Sequence, residues 1–161
     1  MVRAPWQNRE AILELMEMAI EEISLKRKVT VRILTSTFPW VVYGPPAADR
    51  IVDFLKLGGV VRLLVWNTHV GASESLCKTF EKIAPAQFAV RFSNTHENGE
   101  KLNHVFVVGN QGYRVEAPHP VLFEEDVAEY YPEVPARVCF NDVKGAKALS
   151  ASFDSIWDRF A

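Results

Sequence analysis

The sequence predicts an α/β domain built on a mixed, mostly parallel β-sheet with helices on both faces. Three observations lead there. Apolar residues recur at helical spacing in several windows and at strand spacing in the windows between them. The order of those windows is α β α β α β β β β α, so helix-separated strands favour parallel neighbours and a late hairpin adds antiparallel pairing. The chain has 161 residues, 48% hydrophobic and 24% charged, which suits one soluble domain over residues 1–161 with a core of its own.

The first helix is predicted over residues 8–26, with Ile12, Leu15, Met16, Ala19, Ile20 and Ile23 as its apolar stripe. Asn8 suits the N-cap, Glu10 suits the first turn, and Lys26-Arg27-Lys28 suits the negative end of the helix dipole. Residues 29–37 form a β-branched strand ending in the polar Thr35-Ser36-Thr37. Residues 38–46 carry three prolines and Gly44 and read as an irregular loop. Its aromatics, Phe38, Trp40 and Tyr43, either pack down on the domain or form a contact surface.

A second helix over residues 47–57 turns Ile51, Val52, Phe54 and Leu55 inward and stops at Gly58-Gly59. The continuously apolar VVRLLVW, residues 60–66, suits a central strand covered on both faces, with Asn67 at its end. A third helix spans about residues 73–84, with Leu76, Cys77, Phe80 and Ile83 inward. In the strand over residues 87–93, Phe88, Val90 and Phe92 alternate with Arg91. Residues 94–103 are a polar loop.

The stretch NHVFVVGNQGYRVE, Asn103 to Glu116, reads as a β-hairpin turning at Gly109–Gly112. His104 stands at its entrance. Residues 117–135 are loop-like, with an acidic cluster at Glu124, Glu125, Asp126 and Glu129 that suits a solvated face. A last strand covers residues 136–141. Asn141 or Asp142 then caps a final helix to Phe160, with Ala146, Leu149, Phe153, Ile156 and Phe160 on one face.

A formal net charge of −2 argues against a broad electrostatic nucleic-acid binder. Cys77 and Cys139 fall outside any CxxC, which favours buried thiols in a reducing, cytoplasmic setting. No apolar run approaches the ~20 residues that span a bilayer. Glu10 and Glu14 interrupt any signal-peptide-like run behind Arg3. The strand exits carry no GxGxxG, GxxxxGK[ST], HExxH or GxSxG. The four histidines lack metal-ligand spacing, so no metal or cofactor is expected.

The order of elements, the run GGVVRLLVWN, the strand containing VRF, the strand opening on His104 and the final cadence FDSIW together resemble one half of the phospholipase D-like superfamily. Active members carry HxKxxxxD, followed by a Gly-Ser pair and an Asn. Their histidine attacks phosphorus, their lysine neutralises the phosphate and their acid orients the histidine. In-line displacement at phosphorus needs a nucleophile together with positive charge on the equatorial oxygens. This sequence keeps His104, but the lysine position is Phe106. The acid position falls at Gln111, or at Asn110 with a shorter loop, and the Gly-Ser position falls near Glu116-Ala117. A missing preorganised charge contact commonly costs on the order of 10²–10³ in rate.

The resemblance therefore implies a non-catalytic module that binds an anionic, phosphate-bearing ligand or a protein partner at an inherited cleft, as a homodimer that supplies the second half. The expected cleft lies at the sheet's carboxyl edge and gathers His104, Thr35, Ser36, Asn67, Arg91, Asn110 and Glu116. Arg91 is either a surface arginine or the cross-strand partner of Glu116. One alternative is a homodimeric phosphodiesterase or nuclease that uses His104 from each subunit. A more weakly supported one is a single-stranded nucleic-acid binder that stacks bases on Phe38, Trp40 and Tyr43.

Overall fold

The computed structural model describes residues 2–3, 5–35, 38, 40–66, 71–92, 103–117 and 134–159. Its strands are β1 (Val2–Arg3), β2 (Thr30–Thr35), β3 (Val60–Val65), β4 (Phe88–Phe92), β5 (His104–Val108), β6 (Gly112–Glu116) and β7 (Val134–Cys139). Its helices are α1 (Pro5–Ser24), the single turn α2 (Trp40–Tyr43), α3 (Ala47–Lys56), α4 (Gly71–Ile83) and α5 (Val143–Arg159). The strands form one sheet in the order β1-β7-β6-β5-β2-β3-β4.

The sheet is mixed, as the pattern of elements predicts, but it is parallel in only one half. β2, β3 and β4 run parallel, while β5, β6, β7 and β1 pair antiparallel. The cause is the hairpin. The turn at Gly109 to Gln111 is too short for a crossover, so β6 must return against β5. Gly109 supplies the left-handed φ of 49° that this turn uses.

Alternation along the strands builds two cores. Val31, Ile33, Val61, Leu63, Val65, Phe88, Phe106 and Val108 face α1, α3 and α4. Leu34, Leu64, Val105, Val107 and Tyr113 face Ala146, Phe153 and Trp157 of α5. Among the described residues, helices therefore cover both faces, four on one side and α5 on the other.

Several element boundaries differ from the sequence reading. α1 begins at Pro5, a residue whose fixed φ suits a first helical turn, so Asn8 lies inside the helix and not at its cap. It ends at Ser24 because Lys26 takes a left-handed φ of 61°. The basic trio thus follows the helix, and Arg27 pairs with Glu22 at 2.8 Å. Phe38 and Tyr43 pack down, buried and stacked at 4.1 Å, which removes both as base-stacking platforms. The side chain of Trp40 lies outside the described residues.

Gly58 stops α3 with a φ of 95°, as expected, and a Cβ on Gly59 would run into the Phe54 ring. Ile83, expected inward, is the exposed last residue of α4, and Phe92 is exposed at the end of the edge strand β4. Asp142 caps α5 by accepting the Gly145 N–H at 2.9 Å. The acidic cluster at residues 124–129 and Phe160 lie outside the described residues. Among the described residues no helix is long and apolar enough to cross a membrane.

Candidate functional site

Five polar or charged side chains are buried among the described residues: Thr35, His104, Arg114, Glu116 and Ser150. The first four meet at one end of the sheet. His104 pairs with Glu116 across the β5–β6 ladder, and Phe106 pairs with Arg114. On the other side of β5, Ile33 pairs with Phe106 and Leu34 with Val105; continuing that register by one residue sets Thr35 beside His104. Directly opposed residues share a face, so two rows lie side by side. Thr35, His104 and Glu116 form the outer row, and Ile33, Phe106 and Arg114 form the inner one.

The local sequence explains the arrangement. Alternation puts Val105, Val107, Tyr113 and Val115 on the α5 face, which leaves His104, Phe106, Arg114 and Glu116 on the opposite one. Thr35 ends β2, and the Trp66 N–H donates to its carbonyl at 3.2 Å, carrying the β2–β3 ladder one residue further. The Trp66 ring then meets His104 edge-on, with centroids 5.0 Å apart. The constellation therefore sits at the carboxyl ends of β2 and β3. There the sheet passes from its parallel to its antiparallel half, and open α/β sheets place ligand crevices outside such a switch point.

The electrostatics are those of a buried charge pair. Arg114 donates to Glu116, two residues along the same strand, and the residues are only 5% and 3% exposed. His104 is 8% exposed, and its strand position lies between those of Thr35 and Glu116. Phe106, two residues beyond His104, is 1% exposed and belongs to the core. Phe38, three residues beyond Thr35, is fully buried with a left-handed φ of 54°. That conformation costs a non-glycine residue roughly 1–2 kcal/mol, and such outliers cluster at functional sites.

Of the residues expected here, the structure brings together His104, Thr35 and Glu116. Ser36 and Asn67 lie outside the described residues. Asn110 is not at the site: it occupies the hairpin turn at the far end of β5, roughly 17 Å away at ~3.4 Å per residue. Gln111 sits in the same turn. Arg91 is not there either. It lies on the α5 face of β4, stacked over Trp157 at 4.1 Å and donating to the Trp157 carbonyl. Three strands separate it from β6, so the partner of Glu116 is Arg114 and not Arg91. Arg114 and Trp66 were not among the residues expected at the cleft; the signal for Arg114 was its position two residues from Glu116 in an alternating strand.

No protein-family model and no curated protein sequence matches this chain. Among solved structures it is similar to Nuc of Salmonella typhimurium, a phospholipase D family member. The TM-score is 0.57 and the identity 18%, over 87% of this chain and 84% of that one. The fold is phospholipase D-like. A second structure, the archaeal chromatin protein TrmBL2, described as showing a novel mode of DNA binding, is similar at a TM-score of 0.60 and 11% identity. That likeness covers 99% of this chain and 52% of TrmBL2, so the chain spans about half of its length. In this phospholipase D-like fold the buried row of Thr35, His104 and Glu116 marks one end of a shared sheet, with Arg114 behind it.

Proposed function

We propose that the chain is a non-catalytic phospholipase D-like module that binds an anionic, phosphate-bearing ligand and serves an accessory or regulatory role. One observation carries the reading. The residue two positions beyond His104 is Phe106, a core ring at 1% exposure, where phosphoryl transfer at this histidine needs a cation. The HxKxxxxD pattern is then degenerate at its lysine. Its acid position falls in a turn at the other end of the hairpin. The nearby guanidinium of Arg114 is engaged by Glu116.

The test is turnover of bis(4-nitrophenyl) phosphate and of single- and double-stranded DNA, alongside titration with inorganic phosphate. Phosphate binding without hydrolysis is the expected result. Hydrolysis that His104→Ala abolishes would overturn the reading. Binding of a protein in place of phosphate would reassign the ligand.

A second reading, a homodimeric phosphodiesterase using His104 from each subunit, draws support from Arg114 itself. A cation does stand in the site, on the strand opposite Phe106. The proposed homodimer serves both readings, because these 161 residues carry one half of a two-motif cleft and a second copy would supply the other. Light scattering of the purified protein tests it, and a monomeric mass argues against both dimeric arrangements. The fold also occurs in a DNA-binding chromatin protein, but a net charge of −2 gives this chain little to offer a phosphate backbone.

A further inference from the structure

The Arg114–Glu116 pair is oddly placed for a stabilising contact. Moving two ions from water to an interior is costly, and a buried pair roughly recovers that cost; apolar residues of similar volume often do as well or better. Both residues stand on one strand, two positions apart, so their bond ties no distant parts of the chain together. They lie instead at the sheet's carboxyl edge beside Thr35 and His104, where a ligand would arrive.

Resting on the anion-binding reading above, we propose that Glu116 is a built-in competitor for the Arg114 anion site. Its carboxylate occupies the guanidinium as a stand-in for an external oxyanion, and a phosphate-type ligand binds by displacing it. Three features of the site suit the exchange. Guanidinium forks take carboxylate and phosphate by the same bidentate geometry, so one anion can replace the other. Phe106, directly across from Arg114, gives the site an apolar wall that strengthens both the attraction to the guanidinium and the repulsion between the two anions. His104 and Thr35, in the row that ends at Glu116, add an imidazole and a hydroxyl able to donate to an oxyanion. Glu116 ends β6, so its side chain can swing toward the rim without breaking the middle of a strand.

Titration calorimetry with inorganic phosphate on the intact chain tests this. Glu116→Gln keeps the shape and removes the competing charge, and its affinity for phosphate is expected to rise by roughly tenfold or more, since like charges held together in a binding site repel strongly. Glu116→Asp keeps the charge but draws it back by one methylene, so a smaller rise is expected; it serves where the glutamine variant fails to fold. Arg114→Met in the Glu116→Gln background is expected to lose the gain. Wild-type binding that Arg114→Met removes, with affinity no higher in either Glu116 variant, overturns the competitor role and leaves the anion reading standing. Absence of phosphate binding in the wild type and in the folded Glu116 variants alike overturns both.

Discussion

Phe106 and Arg114 face each other across the β5–β6 ladder, a core ring against a buried guanidinium. The positive charge of the site thus comes from the strand beside His104 and not from the histidine's own strand. A side chain of β6 reaches the site from a different direction than one of β5, and it arrives already paired with Glu116. On the proposed reading such a site holds an anion, whereas catalysis would need contacts that strengthen as the phosphoryl group transfers.

Restoring a cation at the residue two beyond His104 is expected to damage the protein. Phe106→Lys removes a ring at 1% exposure and sets an ammonium opposite Arg114. Losing a buried phenylalanine costs about 3–5 kcal/mol, and unpaired charge adds to it. Urea unfolding followed by circular dichroism is expected to show a loss of at least that size, with no phosphodiester turnover gained.

On the opposite face, α5 is held to the sheet by Asp154. Its carboxylate accepts from Arg32 at 2.8 and 3.1 Å and lies 3.6 Å from Arg62 on the neighbouring strand. Asp154→Ala is expected to cost about 1–2 kcal/mol, the range for charged hydrogen bonds, discounted for the half-exposed carboxylate. Arg62→Ala is expected to cost within about 0.5 kcal/mol, because that contact is longer and more exposed. Denaturation of both variants checks the order, and about 1 M salt should narrow the difference.

How much of this was legible in the sequence depended on which feature was periodic. Helices and strands announced themselves through their apolar spacing, and His104, Thr35 and Glu116 could be placed by their positions at strand ends. Arg114 could not, because its place beside His104 depends on hairpin register, and a slip of one residue sends every side chain to the other face. The turn was read as ending at Gly112, which is in fact the first residue of β6. Asn110 was placed by counting along a linear motif, which ignores that an extended strand carries the chain away from its start. Arg91 was correctly set opposite Phe88 and Val90, but alternation does not say which face holds the site. The mixed sheet was read correctly, but it is parallel only in part: alternation does not give strand direction, and here both strands of the hairpin also pair antiparallel with their outer neighbours.

The junction of β6 and α5 predicts pH dependence at both extremes. The Tyr113 hydroxyl donates to Asp142 at 2.6 Å, which, with its contact to Cys139, raises the phenol well above its ordinary range. The same bond from Tyr113, with the Gly145 N–H, lowers the Asp142 carboxyl. A depressed carboxyl stabilises the fold above its unfolded value near pH 4, and that contribution fades as pH falls through the lower folded value. A raised phenol stabilises below about pH 10, and its contribution fades as pH climbs through the folded value. Asp142→Ala is therefore expected to destabilise at neutral pH and to converge with the wild type in strong acid. Tyr113→Phe should flatten the alkaline limb of the same melting profile.

Cys77 is expected to be inert until the protein unfolds. Burial, with the Glu81 and Glu74 carboxylates adding to it, pushes its thiol up to about 12. A raised thiol contributes stability that is whole below about pH 8.5 and is lost as pH rises toward that folded value. At pH near 8 a disulfide reagent should label the half-buried Cys139 and spare Cys77, with both reacting in denaturant. Peptide mapping after labelling reads the two sites separately, and prompt native labelling of Cys77 contradicts the assignment.

Among the described residues α5 alone covers the second face of the sheet, and this has a consequence for synthesis. Domains form as the chain emerges from the ribosome, N-terminal parts first. A nascent chain that has emerged through Asn141 carries the seven described strands, yet Leu34, Leu64, Val105 and Val107 still await α5. Arg32 at that moment has no Asp154 to meet. That face is thus an uncovered apolar surface until the seventeen residues of α5 follow, and a stall in translation there should be the point at which this protein aggregates.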